Sequence, residues 1–171
     1  MTENKNRSVY LCGFMGCGKS TVGVSLAKKL GKKYIDLDSY IEEQEKMKIS
    51  EIFDKYGEEY FRKKESHALS ELKSANAVIA TGGGALLFEE NGKTAKASGL
   101  VIFIDAPFEQ CYDRIKDDKK RPIAYNSTKE QLKDRFNYRR PLYIKNSHNI
   151  VSGKGSPMQI AERIAEIFKN K

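Results

Sequence analysis

The chain has 171 residues, which predicts one domain, and it carries 31 Lys and Arg against 23 Asp and Glu, a formal net charge of +8. Hydrophobic residues at 39% and charged residues at 32% are typical of a globular protein, and no apolar run approaches the roughly 20 residues of a membrane span. Three cysteines without paired spacing, Cys12, Cys17 and Cys111, argue against a disulfide framework or zinc site and predict reduced thiols in the cytoplasm.

The excess of basic residues is spread along the chain and is not gathered into a nucleic-acid motif. Lysines alternate with acids in short segments such as KKES and KEQLKDR, and no RRM, KH or zinc-finger signature is present. We therefore expect a solvated basic surface, with attraction of anionic small molecules as the alternative interpretation, and neither a nucleic acid nor a membrane as a partner.

Short apolar segments alternate with amphipathic helical segments along the chain. Strands are predicted at residues 8–14, 33–38, 76–84, 99–105 and 148–151. Helices are predicted at residues 19–31, at residues 41–74 with a break near Gly57, from Pro107, from the capping box of Thr128 and Gln131, and from Ser156 with Pro157 at its first position. This alternation predicts an α/β fold, three α/β/α layers around a central five-stranded parallel sheet, in one domain of residues 1–171.

The stretch KDDKKRPIAYNSTK, residues 116–129, is the most polar segment and the richest in helix-breaking residues. It lies between two predicted helices and is either an ordinary surface loop or a mobile basic flap. The pair Arg121 and Pro122 at its centre favours the flap, and we predict a mobile lid at about residues 112–128.

The stretch GFMGCGKST follows the first predicted strand and precedes the first predicted helix. It matches the pattern G-x-x-x-x-G-K-[ST] at Gly13, Gly18, Lys19 and Ser20. Gly16 and Gly18 have no Cβ, so backbone N–H groups can surround a polyphosphate, and the helix directs its positive end at the same group. The pattern predicts a P-loop in which Lys19 reaches the β- and γ-phosphates and Ser20 joins a Mg²⁺ shell.

Two carboxylates, Asp36 and Asp38, stand at the predicted end of the second strand. Residues two apart on a strand share a face, and ligands bind at the carboxyl edge of a parallel sheet. Two interpretations stay open for this pair. Either they are solvated acids at the end of a strand, or one of them serves a metal ion and the other contacts the hydroxyl that accepts a phosphoryl group.

Three further fragments are ambiguous when each is taken alone. Arg62 in GEEYFR is typical of a surface ion pair, and the Gly82–Gly84 stretch is either a tight turn or a place where backbone approaches a ligand. Arg139 and Arg140 come just before Pro141, where we expect the helix to be interrupted.

The order of these fragments resolves the ambiguity. The series GFMGCGKST, DLDS, GEEYFR, ATGGG, DKKRP and RRPLY resembles the shikimate kinases, part of the nucleoside-monophosphate-kinase-like group of P-loop proteins. The resemblance covers about residues 8–143, and the later motifs in this order are far more specific than the P-loop. It implies ATP-dependent phosphorylation of the 3-hydroxyl of shikimate, a step of aromatic amino-acid biosynthesis, with Mg²⁺ as cofactor. A small lidded kinase can work alone, so we expect a monomer.

The resemblance implies roles for residues around the nucleotide. The implied ATP-binding residues are Gly16, Cys17, Gly18, Lys19, Ser20, Thr21, Arg114 and Arg121. Arg114 would lie along the adenine, and Arg121 would come from the lid onto the phosphates. Ser20 and Asp36 would hold the Mg²⁺ ion and its waters. Cys17 stands where alanine is common in the family.

The resemblance also implies a shikimate site, which includes a helical segment at about residues 38–66. The implied shikimate-binding residues are Asp38, Arg62, Gly82, Gly83, Gly84 and Arg139. Arg62 and Arg139 would clamp the carboxylate together with a backbone N–H of the glycine turn, most directly that of Gly83. Asp38 would act as a base or simply orient the 3-hydroxyl. The implied catalytic residues are Lys19, Asp38 and Arg121.

Two other functions remain open from the sequence. One is a gluconate kinase or another P-loop kinase, because a carboxylated polyol also needs a cationic clamp. The other is a nucleotide-dependent module that binds RNA through the basic surface, which would show steep salt dependence.

Overall fold

A parallel five-stranded sheet lies at the centre of the computed structural model, which describes residues 3–171. The first two residues of the predicted domain lie outside the described residues. The strands are β1 (Ser8–Cys12), β2 (Lys33–Asp36), β3 (Ala77–Ala80), β4 (Gly99–Asp105) and β5 (Asn149–Ser152). Their spatial order is β2-β3-β1-β4-β5, and every neighbouring pair is parallel. The predicted α/β fold with a five-stranded parallel sheet is confirmed.

Helices connect the strands and cover the sheet. They are α1 (Lys19–Leu30), α2 (Leu37–Glu45), α3 (Ile49–Tyr56), α4 (Glu58–Glu71), α5 (Glu89–Ser98), α6 (Phe108–Ile115), α7 (Pro122–Tyr125), α8 (Lys129–Lys145) and α9 (Pro157–Lys169). Every residue of β1 and β3 is buried. Because successive strand residues point to opposite faces, this burial means that both faces of the sheet are covered, as in three-layer α/β/α folds. Among the described residues, no helix combines the length and apolar character needed to cross a bilayer.

Several helix ends follow the predicted chemistry. Gly31 ends α1 with a φ of 64°, in the left-handed region where glycine is favoured. Thr128 and Gln131 form the predicted capping box of α8. Ser156 caps α9, and Pro157 occupies its first position.

The second strand is shorter than predicted. It ends at Asp36, whose carboxylate accepts a hydrogen bond of 2.9 Å from the Ser39 backbone N–H and so caps α2. Asp38 therefore lies in the first turn of α2, and the prediction that Asp36 and Asp38 share one face of a strand is wrong. A capping carboxylate satisfies an otherwise free helical N–H, which favours starting the helix at once.

The long helical segment predicted for residues 41–74 is three helices. The break at Gly57 is confirmed, with a φ of 85°. A second break at residues 46–48 was not predicted, and Lys46 ends α2 there with a φ of 55°. Helix α5 was also missed, because EENGKTAKAS contains Asn91 and Gly92, which have poor helix propensity and were not recognised as part of a helix. Burial of both residues shows that packing stabilises α5.

Pro141 does not interrupt the last part of α8, contrary to the prediction. The helix runs through it from Lys129 to Lys145. Proline removes one helical hydrogen bond, but tertiary bonds hold the following turns. The Tyr143 hydroxyl donates to the Gly83 carbonyl at 2.5 Å, and Asn146 Nδ2 donates to the Leu86 carbonyl at 2.8 Å.

Candidate active site

The P-loop connects β1 to α1, and its glycines are required by the backbone path. Gly16 has a φ of 82° and Gly18 a φ of 100°, both in the region that favours glycine. A Cβ at Gly16 would lie 2.7 Å from the Cys111 carbonyl oxygen. There is therefore no room for a side chain at Gly16, while at Gly18 it is the backbone conformation that favours glycine.

Lys19 lies at the start of α1, and its ammonium stays over the loop. Its Nζ donates to the carbonyl of Gly13 at 2.6 Å and to that of Phe14 at 3.3 Å. Cys17 is buried beneath the loop, with 1% of its surface exposed and its Sγ 3.7 Å from Lys19 Nζ. Its side chain packs into the core, so a small residue is needed at this position.

A cavity of about 510 Å³ lies over the P-loop. Its lining includes most of the residues predicted to bind ATP and metal, namely Gly16, Gly18, Lys19, Ser20, Thr21, Asp36, Arg114 and Arg121. It also includes Asp38, which was predicted to bind the acceptor. Cys17 is absent from the lining because its side chain is buried. Arg114 on α6 donates to the Gly16 carbonyl at 2.9 Å, which fixes the guanidinium at the rim of the P-loop. Pro157 lines the same cavity from the start of α9.

A second cavity of about 230 Å³ adjoins the first. It is lined by all the residues predicted to bind the acceptor, namely Asp38, Arg62, Gly82, Gly83, Gly84 and Arg139. The apolar side chains of Ile49, Phe53 and Phe61 line another part of the same cavity. The site thus brings together groups from α2, α4, the turn after β3, and α8, which lie far apart in the sequence.

Each glycine of the turn after β3 leaves room for one polar side chain. A Cβ at Gly82 would lie 2.7 Å from Asp38 Oδ1, and one at Gly83 would lie 3.2 Å from Arg139 Nη1. A Cβ at Gly84 would lie 2.6 Å from Nη2 of Arg62. The three glycines therefore serve close approach of these side chains to the backbone.

Asp38 connects the two cavities, since it lines both of them. Its Oδ1 is buried and has no hydrogen-bond partner among the described residues. Burial, reinforced by Asp36, raises the pKa of Asp38 to about 6, while Lys19 and Arg62 act in the opposite direction. A buried carboxylate oxygen without a donor is costly unless a ligand supplies one.

Arg62 is held by two carboxylates of its own helix, α4. Its Nη1 lies 2.8 Å from Glu65 and its Nη2 lies 3.2 Å from Glu58. Glu65 is only 1% exposed, and burial raises its pKa to about 7, although Arg62 and Arg139 lower it. The sequence did not identify Glu65, because in EEYFRKKES it resembles a residue of a solvated helical face.

Arg139 and Tyr143 both donate to one carbonyl of the glycine turn. Arg139 Nη1 lies 3.3 Å from the Gly83 oxygen, and the Tyr143 hydroxyl lies 2.5 Å from it. Residues four apart on a helix share a face, a signal that could have found Tyr143. The expected interruption at Pro141 hid that signal. Arg140 is directed elsewhere and forms a two-bond pair with Asp105 at 3.1 and 2.7 Å.

Arg121 immediately precedes α7 in the segment predicted as a lid. It lines both cavities, and its Nε lies 3.2 Å from Asp118 Oδ2. Asp118 also lines the first cavity, so a carboxylate stands near the cation that was predicted to reach the phosphates. Residues 112–115, which were included in the predicted lid, belong to α6.

The fold and the site together define a class of protein. A P-loop between a central parallel strand and its helix, next to a smaller cavity with two arginines and a carboxylate, is the arrangement of a P-loop kinase for a small anionic acceptor. Residues 15–169 match the family model described as shikimate kinase. The chain belongs to the shikimate kinase family.

Known members of the family resemble this chain over nearly its whole length. A shikimate kinase of Persephonella marina is 42% identical over 159 residues, covering 92% of this chain and 96% of the relative. One of Clostridium botulinum strain Alaska E43 is 44% identical over 167 residues, covering 97% and 99%. A solved structure, shikimate kinase from Acinetobacter baumannii in complex with shikimate, has a TM-score of 0.89 at 38% identity and covers 96% of this chain and 94% of that one.

Proposed function

We propose that this chain transfers the γ-phosphoryl group of ATP to the 3-hydroxyl of shikimate, giving shikimate 3-phosphate and ADP in the pathway to aromatic amino acids. Family membership supports this activity, and the similar Acinetobacter baumannii protein binds shikimate. The observation that carries the proposal is the continuity of the two cavities. Both are lined by Asp38, Gly82, Gly83 and Arg121, so a nucleotide in one would meet an acceptor in the other.

The larger cavity would hold ATP. Backbone N–H groups of residues 16–21, including that of Cys17, would surround the phosphates at the positive end of α1. The ammonium of Lys19 would leave the carbonyls of Gly13 and Phe14 for the β- and γ-phosphates, which offer it full negative charges. Arg114, fixed at the rim by its bond to Gly16, would lie along the adenine.

The residues at the edge of this cavity fit a Mg²⁺ ion shared with ATP. The hydroxyl of Ser20 and the carboxylate of Asp36 both line the cavity, and oxygen ligands of this kind suit Mg²⁺. In residues 3–171, no group of three or more His, Cys, Asp or Glu side chains forms a ready cation site. Mg²⁺ commonly takes its other ligands from water and phosphate, so this donor set fits. The ion would supply positive charge that offsets charge on the transferring group.

The smaller cavity would bind shikimate through its carboxylate. Arg62 and Arg139 approach the glycine turn from two helices, and planar guanidinium groups match a carboxylate with paired N–H···O bonds. The N–H groups of Gly83 and Gly84 would complete the clamp. The apolar side of this cavity would contact the carbon ring. This polarity fits a compact acid with several hydroxyl groups.

Asp38 would receive the hydroxyl that reacts. Its unpartnered Oδ1 is an acceptor next to both cavities, and a hydroxyl donor would satisfy it. From there Asp38 orients the 3-hydroxyl for in-line attack and can take its proton. Arg121 would leave Asp118 and move onto the phosphates when the lid, residues 116–128 after α6, closes, which also excludes water as a competing acceptor.

The partners we propose are ATP and shikimate alone, and the acting species is a monomer. All the residues predicted to bind shikimate line one cavity of a single chain, which supports this choice of acting species. The cytoplasmic location stays a prediction from the reduced cysteines.

One assay tests the proposed function. ADP release is measured with ATP and Mg²⁺ in the presence of shikimate, gluconate, nucleoside monophosphates or RNA, and without an acceptor. We expect fast release with shikimate and only the slow background of ATP hydrolysis in the other reactions, and ³¹P NMR should place the new phosphate ester on the 3-oxygen. Faster turnover with gluconate or with RNA would contradict the proposal.

A further inference from the structure

We propose that Tyr143 is a positioning residue of the carboxylate clamp, which keeps Arg139 free to bind the acceptor. The inference rests on the proposed function, because it concerns how the same site grips its substrate. Tyr143 itself lines neither cavity and acts through Gly83 of the glycine turn, which lines both. Its side chain is 1% exposed, yet it carries a hydroxyl that needs a partner.

The partner of that hydroxyl is the carbonyl of Gly83, at 2.5 Å. A peptide group is planar and trans, so the direction of the Gly83 carbonyl fixes the direction of the Gly84 N–H in the same peptide group. The preceding peptide group is fixed in a similar way, since the Gly82 carbonyl accepts from the Ala85 N–H at 3.3 Å. The N–H groups of Gly83 and Gly84, which are proposed to face the carboxylate, thus each belong to a peptide group whose carbonyl is held by a hydrogen bond.

The same carbonyl also accepts from Arg139, but that bond is longer, 3.3 Å from Nη1 to the oxygen. The shorter bond comes from Tyr143, so the carbonyl keeps a donor when the guanidinium turns to a ligand. In a protein without the Tyr143 hydroxyl, Arg139 would be the one of these two donors left for the Gly83 carbonyl. Binding a substrate carboxylate would then leave a carbonyl of the turn without its partner, which costs free energy.

The rest of the contact makes Tyr143 a rigid link between α8 and the turn. Its ring packs on Phe103 of β4, with centroids 5.3 Å apart. Just after the end of α8, the buried Asn146 donates to the Leu86 carbonyl, which lies just beyond the glycine turn. The helix that carries Arg139 is therefore held to the segment that carries the N–H groups at two successive points.

The test is Tyr143→Phe, which removes one oxygen and keeps the ring. We expect the KM for shikimate to rise about tenfold, the effect of one buried hydrogen bond, with the KM for ATP and the slow ATP hydrolysis without acceptor unchanged. The matched control is Tyr138→Phe on the same helix, because Tyr138 is 73% exposed. This control should behave as the wild type in every measurement.

A second acceptor separates positioning from a general structural role. Shikimate methyl ester lacks the charged carboxylate, so its poorer KM should change less than twofold in Tyr143→Phe. Equal losses with acid and ester, or an unchanged KM for shikimate, would overturn the proposal. Calorimetric binding of shikimate without ATP gives the same comparison independently of turnover. If the wild type binds shikimate but does not phosphorylate it, the proposed function is refuted. The binding comparison would still test the role of Tyr143.

A crystal structure of the wild type with shikimate covers the case in which the variant does not fold. The bond from Tyr143 to Gly83 should persist while Arg139 contacts the carboxylate. A clamped carboxylate with that bond broken would overturn the proposal as well.

Discussion

Arg62 and Glu65, one turn apart on α4, form an ion pair of 2.8 Å in which the carboxylate is almost fully buried. Burial has a larger effect on Glu65 than the attraction of Arg62 and Arg139, and nearby Asp38 acts in the same direction as burial, so the pKa of Glu65 rises to about 7. The pair therefore positions Arg62 for the acceptor carboxylate, but burial of the charged Glu65 carboxylate lowers the stability of the ligand-free protein.

This cost predicts a pH dependence of stability that Glu65→Gln removes. The folded pKa of about 7 lies above the reference value of 4.5, so the stabilising contribution is complete below pH 4.5 and is lost as the pH rises through 7. Without ligand, the free energy of unfolding of the wild type should fall relative to that of Glu65→Gln as the pH rises from 5 to 8. The expected relative change is about 1–3 kcal/mol. Urea unfolding at four pH values measures it.

The control for this experiment is Glu59→Gln on the same helix. Its side chain is 86% exposed and pairs with Lys63, so the substitution should leave the pH dependence as in the wild type. Parallel pH curves for wild type and Glu65→Gln would show that the Glu65 carboxylate is not held in an unfavourable charged state.

The glycine turn gives a graded prediction. In Gly84→Ala the new methyl group would lie 2.6 Å from Nη2 of Arg62, so the guanidinium must move. We expect kcat/KM for shikimate to fall about tenfold to a hundredfold, with the KM for ATP little changed, because the clamp loses paired geometry. In Gly83→Ala the methyl would lie 3.2 Å from Arg139, and the loss should be smaller. Steady-state kinetics of both variants measures the two losses in kcat/KM. A loss in Gly83→Ala larger than that in Gly84→Ala would show that crowding of the arginines is not the cause.

Arg139→Lys tests the second arm of the clamp. Lysine keeps the charge but loses the planar fork, so the KM for shikimate should rise and kcat/KM should fall by about 2–4 kcal/mol equivalent. Arg140→Lys is the matched control, because Arg140 pairs with Asp105 and not with the turn. Equal kinetics for wild type and Arg139→Lys would remove this residue from the clamp.

Local chemistry made the P-loop and the sheet predictable from sequence. Glycine spacing followed by Lys19 and Ser20 is a property of one short segment, and apolar segments set the strands. The placement of Asp38 was predicted wrongly because capping by Asp36 starts a helix where an extended strand was expected. Both acids still face the same cavity, since a strand end and the first turn of the next helix lie at the same edge of the sheet.

The remaining errors have a tertiary origin. Tyr143 was missed because proline was expected to end α8, and the bonds that hold the helix beyond Pro141 come from a turn about 60 residues earlier. Glu65 was missed because its burial depends on the elements that pack around α4, which the pattern of one helix does not show. The convergence of Arg62 and Arg139 was expected only through the family resemblance, as helical periodicity carries no information on such distant pairs.

Asp38→Asn should separate activity from stability. The amide is a weaker acceptor and a poor base, so phosphorylation of shikimate should fall by at least about a hundredfold. In the wild type, Oδ1 of Asp38 is buried without a hydrogen-bond partner. Because the variant buries a neutral amide in place of this charged group, its free energy of unfolding should be about 1 kcal/mol higher. The ADP-release assay and urea unfolding at pH 7.5 measure the two effects.

Asp54→Asn is the control for that pair of measurements, since Asp54 is exposed on α3. It should change neither quantity. A less stable Asp38→Asn protein would show that the charged carboxylate stabilises the free enzyme, contrary to the cost expected for an unpartnered buried oxygen.

The lid gives the last prediction, which concerns Arg121 and its partner Asp118. Arg121→Ala removes the cation proposed to offset charge on the transferring phosphoryl group, so kcat should fall by about 10²–10³ while the melting temperature stays within 2 °C or so of wild type, because the side chain is half exposed. Asp118→Asn frees Arg121 from the 3.2 Å pair and removes a carboxylate that faces the nucleotide cavity, so the KM for ATP should fall. Lys120→Ala, an exposed neighbour, controls for general charge. Full-rate turnover by Arg121→Ala would refute its catalytic role, and an unchanged KM for ATP in Asp118→Asn would refute competition between Asp118 and the phosphates for this arginine.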